Sequence, residues 1–440
     1  MSLTVAEAID WIHSRLPFGS RPGLERVSAL LEKINHPELK VPTIHIAGTN
    51  GKGSTVTYLR CMLEELGLSI GTFTSPYIET FNERIAINGV GISDEAIIEL
   101  VSRYQPIVAE MDQEEAIAGI TEFETLTGMA FDYFLQEKVD VAIIEVGLGG
   151  LLDSTNVVHP LLTGITTIGL DHMEILGETL AEIAAQKAGI IKAGIPVVTG
   201  NIESIPLAVI EAEAAEKKAS IYRFDQEYQV DYLHPDEEWG EAFNFSNEAG
   251  KIPKLRVSMI GQHQSENAGM AIELFYQYCR LTKQNFQSKF VTKGLWQAQW
   301  PGRMERLSEN PLIILDGAHN EHAVKRLVDN LQREFGSYQI KILFSAVATK
   351  EIHGMLALLK QLPNVEIYLT TFNYPRSLEL KDYTNEVDEQ LTIVSLWQFG
   401  LAEILENFED NQLLLVTGSL YFISQVRELL LELGGADEKA

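Results

Sequence analysis

Strand-like and helix-like stretches alternate along the chain from Thr43 to about Thr199. Short apolar runs predict strands at Thr43–Ala47, Ser69–Thr74, Val139–Val146, Leu161–Ile168 and Ile195–Val198. Between them, apolar positions recurring at helical spacing predict helices at Thr55–Leu66, Ser93–Met111, Thr121–Gln136 and Thr179–Ala188. Such alternation gives an α/β fold, a doubly wound and mostly parallel sheet with helices on both faces. Tyr222–Ser258 is polar, acidic and without helical period, and reads as a small antiparallel β addition; Glu266–Leu281 returns to helix. After Trp300-Pro301-Gly302-Arg303 a second series begins, with strands expected at Leu312–Leu315, Gln339–Ser345, Val365–Thr370, Thr392–Leu396 and Leu413–Thr417. This predicts a second, Rossmann-like α/β domain and a boundary near 298, dividing the chain into 1–298 and 299–440.

Length agrees with that division, since 440 residues exceed one typical hydrophobic core. The net charge of −28, from 34 basic and 62 acidic residues, argues against nucleic-acid or anionic-membrane partners. It also means that any phosphate ligand must be met by local lysine, arginine or a divalent metal. Cys61 and Cys279 both fall in apolar helical patterns and read as buried free thiols in a reducing compartment. Thr4-Val5-Ala6-Glu7 reads as a capping box opening a helix to about His13, not as an export signal. No apolar run reaches the roughly 18 residues that cross a membrane, so a soluble cytoplasmic protein is expected.

In open α/β sheets ligands gather at the carboxyl ends of strands, so the residues there carry the functional reading. The first strand opens into Gly48-Thr49-Asn50-Gly51-Lys52-Gly53-Ser54-Thr55 and then a helix. Backbone N–H groups in such a turn converge on phosphate oxygens, the lysine adds a charge, and the helix presents its positive end. Gly53 separates the lysine from the hydroxyl and Ile46 stands where the usual signature has its first glycine, yet the strand–turn–helix placement favours nucleotide binding over a plain turn. A carboxylate in the buried run ending at Glu145 is costly unless it is paired or binds metal. Its place suits a magnesium-anchoring acid, with a lysine-paired strand-end acid as the plainer alternative. Ser75, in Thr74-Ser75-Pro76, can offer a hydroxyl to the same ion or simply make a turn. His172 is ligand or structural histidine on equal terms. Lys187, in the last turn before Gly189, reads from the residues alone as helix-end electrostatics. Amides around Asn267 suit an adenine edge or a helix cap. Arg303, Asp316-Gly317-Ala318-His319-Asn320 and Thr417-Gly418-Ser419 repeat the polar strand-end pattern in the second domain.

Taken in order, Gly48 to Ser54, Thr74-Ser75-Pro76, Phe81-Asn82-Glu83-Arg84-Ile85, Glu145 to Gly150, Asp171-His172, Glu182 to Lys192, Pro301-Gly302-Arg303 and Asp316 to Asn320 resemble the folylpolyglutamate synthase and dihydrofolate synthase family. The resemblance spans nearly the whole chain, although single pieces are shared with the ligases that add amino acids to peptidoglycan precursors. It implies an ATP-dependent ligase that adds L-glutamate to folate through an acyl phosphate, or joins dihydropteroate to glutamate. It implies ATP contacts at Thr49, Asn50, Gly51, Lys52, Gly53, Ser54, Asn267, Arg303 and Asp316, and two Mg2+ ions held by Ser75, Glu145, His172 and a side-chain-carboxylated Lys187. Lys52, Glu145, His172 and Lys187 become the catalytic set. Arg84, Glu122, Phe123 and Asp153, with Pro22 to Arg26, fall at the pterin end of folate, and His319 and Ser419 at the glutamate site. Partners are then small molecules; a monomer is expected separately, because no exposed apolar patch is visible in the sequence.

Two departures stand out. Leu151 replaces the arginine usual after Gly149-Gly150, and Ala348-Thr349-Lys350-Glu351 keeps only one acid of an acid–lysine–acid motif. A peptidoglycan-precursor ligase and a regulatory nucleotide-binding protein remain as other readings. The first is weakened by Gly53 and by the lack of a sugar-nucleotide domain before residue 41, the second by the paired second-domain motifs.

Overall fold

The structure is a computed structural model that describes residues 3–16, 21–77, 80–236, 239–348, 352–384, 386 and 388–437. The Thr349-Lys350-Glu351 departure lies outside the described residues. The first sheet comprises β1 (Thr43–Ala47), β2 (Ile70–Phe73), β3 (Ile85–Ile87), β4 (Val90–Gly91), β5 (Val141–Glu145), β6 (Leu162–Ile165), β7 (Val197–Thr199) and β8 (Ile221–Arg223). Their order is β4-β3-β2-β5-β1-β6-β7-β8. Every pairing from β2 to β8 is parallel, and only the β2–β3–β4 edge is antiparallel.

The central strands β1 and β5 are buried at every position, as strands covered on both faces must be. One apolar cluster packs Leu100, Tyr104, Met129 and Phe131 of the helices Asp94–Met111 and Glu122–Gln136 with Phe73 and Ile144. Another packs Ile183 and Ile210, from the helices Leu180–Ala188 and Ser204–Glu216, with Ile165 and Val197. The register sets Ile46 level with both Glu145 and Gly164, so the chain leaves β1 and β5 side by side at one end of the sheet.

The expected β addition is corrected at its start. Tyr222 belongs to β8, a parallel strand of the main sheet beside β7, because a short half-buried run suffices at a sheet edge. The addition proper is three strands, β9 (Tyr228–Pro235), β10 (Glu241–Asn247) and β11 (Gly250–Val257), in the order β11-β10-β9. The two-residue link between β10 and β11 makes that pair antiparallel.

The C-terminal sheet contains β12 (Glu305–Glu309), β13 (Leu312–Leu315), β14 (Gln339–Phe344), β15 (Val365–Leu369), β16 (Leu391–Ile393) and β17 (Gln412–Thr417), ordered β12-β13-β17-β14-β15-β16. All its pairings are parallel except β12 with β13. Its core gathers Ile314, Ile342, Ile367 and Leu415 with Leu327, Leu331 and Leu356 from the covering helices. The chain forms two compact units. One holds Met1–Leu233, Ala242–Val257 and Ser265–Ala298; the other holds His234–Glu241, Ser258–Gln264 and Gln299–Ala440.

Candidate active site

The turn after β1 takes its shape from Gly51, whose φ of +84° is the left-handed conformation that caps the helix Lys52–Glu64. A Cβ there would collide with the amide oxygen of Asn267, so the absence of a side chain also lets that buried residue lie against the loop. The helix starts at Lys52, three residues before the expected Thr55, because Gly51 itself caps it. The loop is fastened to the chain after β6. Thr49 N–H donates to Thr167 O at 2.8 Å, and Asn50 N–H to the Thr167 hydroxyl at 3.1 Å. Thr166 and Thr167 hydroxyls donate to Asn50 O at 2.6 and 3.0 Å, and Gly169 N–H donates to the Thr49 hydroxyl at 3.0 Å.

Lys52 Nζ donates to Gly48 O at 3.0 Å and Thr49 O at 3.4 Å, and lies 3.9 Å from Glu145 Oε1. A flexible cation is thus held at the mouth of this glycine turn, beside a carboxylate only 5% exposed. Lys187 sits in the last turn of its helix and is 4% exposed. Burial and then the neighbouring Lys52 charge push its ammonium down to about 7, against the pull of Asp171 and Asp153. A large share is therefore free amine at neutral pH, which a solvent-exposed helix-end lysine is not.

His172 adopts φ +51° at the start of the short helix Met173–Leu176, its ring 3.9 Å from Asp171 and 3.9 Å from Glu174. Ser75 is half-buried in the turn that follows β2. Among the described residues no group of three or more His, Cys, Asp or Glu side chains forms a ready-made metal cage. The donor set fits magnesium all the same, because that ion is held by one or two carboxylates plus substrate phosphates rather than by an all-protein shell.

Arg84 Nη1 pairs with Glu122 Oε1, both nearly buried, while His13 Nδ1 stands 3.7 Å from Glu122 Oε2. Phe81 packs edge-on to His13 at 5.4 Å, and Phe123 stacks on Phe73 at 5.4 Å. Burial pushes the Glu122 carboxyl up, but His13 and Arg84 outweigh it and hold the group below its usual value. We expect Arg84→Leu to cost about 3 kcal/mol in urea unfolding, because it strands a buried carboxylate. Glu122 is depressed in the folded state, so its contribution is complete above the ordinary carboxylate range and fades as pH falls through the depressed value. The gap between wild type and variant should therefore narrow in acid; a gap that widens would refute the pairing.

Asp153 is the fourth folate-assigned residue. It caps the turn Ser154–Val157 and accepts from Leu148 N–H at 2.8 Å, Thr155 N–H at 3.0 Å and the Thr155 hydroxyl. Leu151 is 45% exposed, and its N–H donates to Gln186 O at 2.7 Å.

In the second unit, Asp316 at the end of β13 accepts from Met304 and Ala318 N–H, both at 2.9 Å. Burial pushes its carboxyl up, opposed by Arg303. His319 Nδ1 bonds Gly317 O at 2.8 Å, and Ser419 is buried at the turn after β17. Sequence reading missed His13 and His45. His13 lies at a helix end far in sequence from Glu122, and His45 lies inside a strand whose end drew the attention.

Residues 46–275 match the Mur ligase middle domain and residues 302–420 the Mur ligase, glutamate ligase domain. The chain is 43% identical over 434 residues to a Bacillus subtilis dihydrofolate synthase/folylpolyglutamate synthase, covering 96% of this chain and 98% of that one. Its fold is similar to Mycobacterium tuberculosis folylpolyglutamate synthase complexed with ADP, with TM-score 0.89, 28% identity, and 97% and 98% of the two chains covered. It is also similar to a solved FPGS–AMPPCP–folate complex, with TM-score 0.85, 35% identity, and 97% and 100% covered.

Proposed function

We propose the function of this chain from one premise: it belongs to the folylpolyglutamate synthase and dihydrofolate synthase family of Mur-type ligases. It is an ATP-dependent ligase that joins glutamate to folate, a reading that holds over a peptidoglycan-precursor ligase or a nucleotide switch. The supporting observation is the pairing of Lys52 with Glu145 at the adjacent ends of β1 and β5.

Carboxylate oxygen is a poor leaving group, so amide formation begins with activation. The γ-phosphoryl group of ATP passes to the folate carboxylate and gives an acyl phosphate and ADP. The glutamate amino group then attacks the acyl carbon, and the tetrahedral intermediate expels phosphate. The loop amides from Thr49 to Ser54 would hold the phosphates in line, and Lys52 would leave its carbonyl partners to offset charge on the group in transit. Glu145, with the Ser75 hydroxyl, would hold Mg2+ on the nucleotide; when bound, that ion supplies further charge neutralisation. His172 and Lys187 would hold a second ion once the Lys187 amine has bonded to CO2, losing a proton to become a carbamate. Arg84, Glu122, Phe123 and Asp153 would receive the pterin; of the second unit's residues, Arg303 and Asp316 would contact nucleotide, and His319 and Ser419 glutamate. We take the protein to act as a monomer in the cytoplasm, on small molecules rather than nucleic acid or membrane; no helix among the described residues is long and apolar enough to cross a membrane.

The test is phosphate release by the purified chain with ATP and Mg2+. Release should require glutamate together with a folate or dihydropteroate, and offering the two acceptors separately assigns the activity. Release that ignores glutamate would refute the ligase reading in favour of a hydrolytic switch.

A further inference from the structure

His45, at the middle of β1, is fully buried beneath the phosphate loop. Burial and the nearby Lys192 charge push its imidazole down to about 3, so the ring is neutral. Its Nε2 lies 2.8 Å from the Thr155 hydroxyl. That hydroxyl has one proton, which it gives to the Asp153 carboxylate, so Nε2 must carry the ring proton and donate to Thr155. Nδ1 is then a bare acceptor, buried with no hydrogen-bond partner among the described residues. Such an orphan costs stability that an apolar side chain would not, and a retained cost asks for a functional reason.

The far end of this chain of bonds supplies one. Asp153 accepts Leu148 N–H and so fixes the loop that follows Glu145. The same loop packs on the Lys187 helix: a Cβ on Gly150 would stand 2.7 Å from Gln186 O and 3.0 Å from Lys187 Cα. Asn156 Nδ2 adds bonds to Leu151 O at 2.9 Å and Gly189 O at 3.1 Å. One strand thus carries the phosphate loop at its tip and, from its middle, steadies the loop that links the carboxylate to the lysine.

We propose that His45 is a positioning residue for phosphoryl transfer, acting through Thr155 and Asp153 to set the loop between Glu145 and Lys187. The inference rests on the ligase reading above. Displacement of about 1 Å in groups that must act together costs up to about a hundredfold in rate.

The experiment compares His45→Leu, His45→Gln, Thr155→Val and the His45→Leu/Thr155→Val double variant in the full chain. Melting temperature, kcat, the KM for ATP and folate, and hydrogen exchange of the 146–152 amides are read for each. His45→Leu should melt within about 3 °C of wild type, since it removes the orphan along with the bond. Its kcat should fall about 10- to 100-fold, with KM for ATP little changed and faster exchange at Leu148. His45→Gln places an N–H near the Nε2 position and should recover most of the rate. The double variant should be no slower than the worse single one. Wild-type kcat in His45→Leu, failure of His45→Gln to recover, or additive losses would each overturn the proposal. The exchange data need no substrate. A wild type without glutamate-dependent turnover but with the exchange effect would sink the ligase reading and leave the loop tether standing.

Discussion

Lys52→Ala should reduce kcat by at least about a thousandfold while the protein still folds. In the structure Nζ rests on two loop carbonyls at 3.0 and 3.4 Å, contacts that a bound triphosphate can replace with stronger, charge-assisted ones. Nζ also lies 3.9 Å from Glu145 Oε1, so the variant removes the loop's own cation from a strongly acidic protein. Glu145→Gln, close in shape, should lose activity to a similar degree, and raising Mg2+ should restore part of it if the carboxylate serves as a metal ligand. Steady-state kinetics beside thermal melts decides the matter. Activity within tenfold of wild type in either variant would remove the pair from the reaction.

The second large effect is expected at Lys187. Lys187→Ala should lower kcat by about a hundredfold or more, and Lys187→Arg should be as slow, because a guanidinium cannot take up CO2. The side chain is 4% exposed and lies where the 147–150 loop meets the helix end, so no solvent-facing role accounts for it. A carboxylated lysine would appear as a carbon resonance after 13C-bicarbonate loading, absent in both variants, and small carboxylic acids should partly rescue Lys187→Ala. An active Lys187→Arg enzyme would end the carbamate assignment.

Much of the fold was legible because the central strands are short apolar runs bounded by turns, and β1 and β13 fall at the expected residues. The capping box at Thr4 announced its helix just as directly, and the helices predicted to open at Thr121 and Thr179 from their apolar period are capped in the same way. The β3–β4 hairpin was overlooked although Asn88-Gly89, both at positive φ, is a strong turn signal; the flanking strands of three and two residues are too short to give a period. β12 carries no apolar run, and its strand character comes from pairing with β13, a tertiary effect. At the candidate site, Lys52 and Glu145 drew attention because polar groups sat at strand ends, and the fold sets them 3.9 Å apart. The burial of Lys187 was not legible, since sequence placed it at a helix end and only packing reveals it. Asp153 entered only through the family resemblance, and the bonds its oxygens accept from Leu148 and Thr155 depend on a turn that no sequence pattern announced.

The outermost strands of the eight-stranded sheet have a bearing on how the chain behaves in a crowded solution. β4 is only two residues long, and β8 is three, ending in Arg223, which is clamped by Glu211 at 2.5 Å and Glu227 at 2.6 Å. Neither border offers the long, flat ladder of spare amides and carbonyls on which another molecule's strand could zip. The largest sheet of the chain is thereby kept from growing sideways by pairing with the same border of another copy.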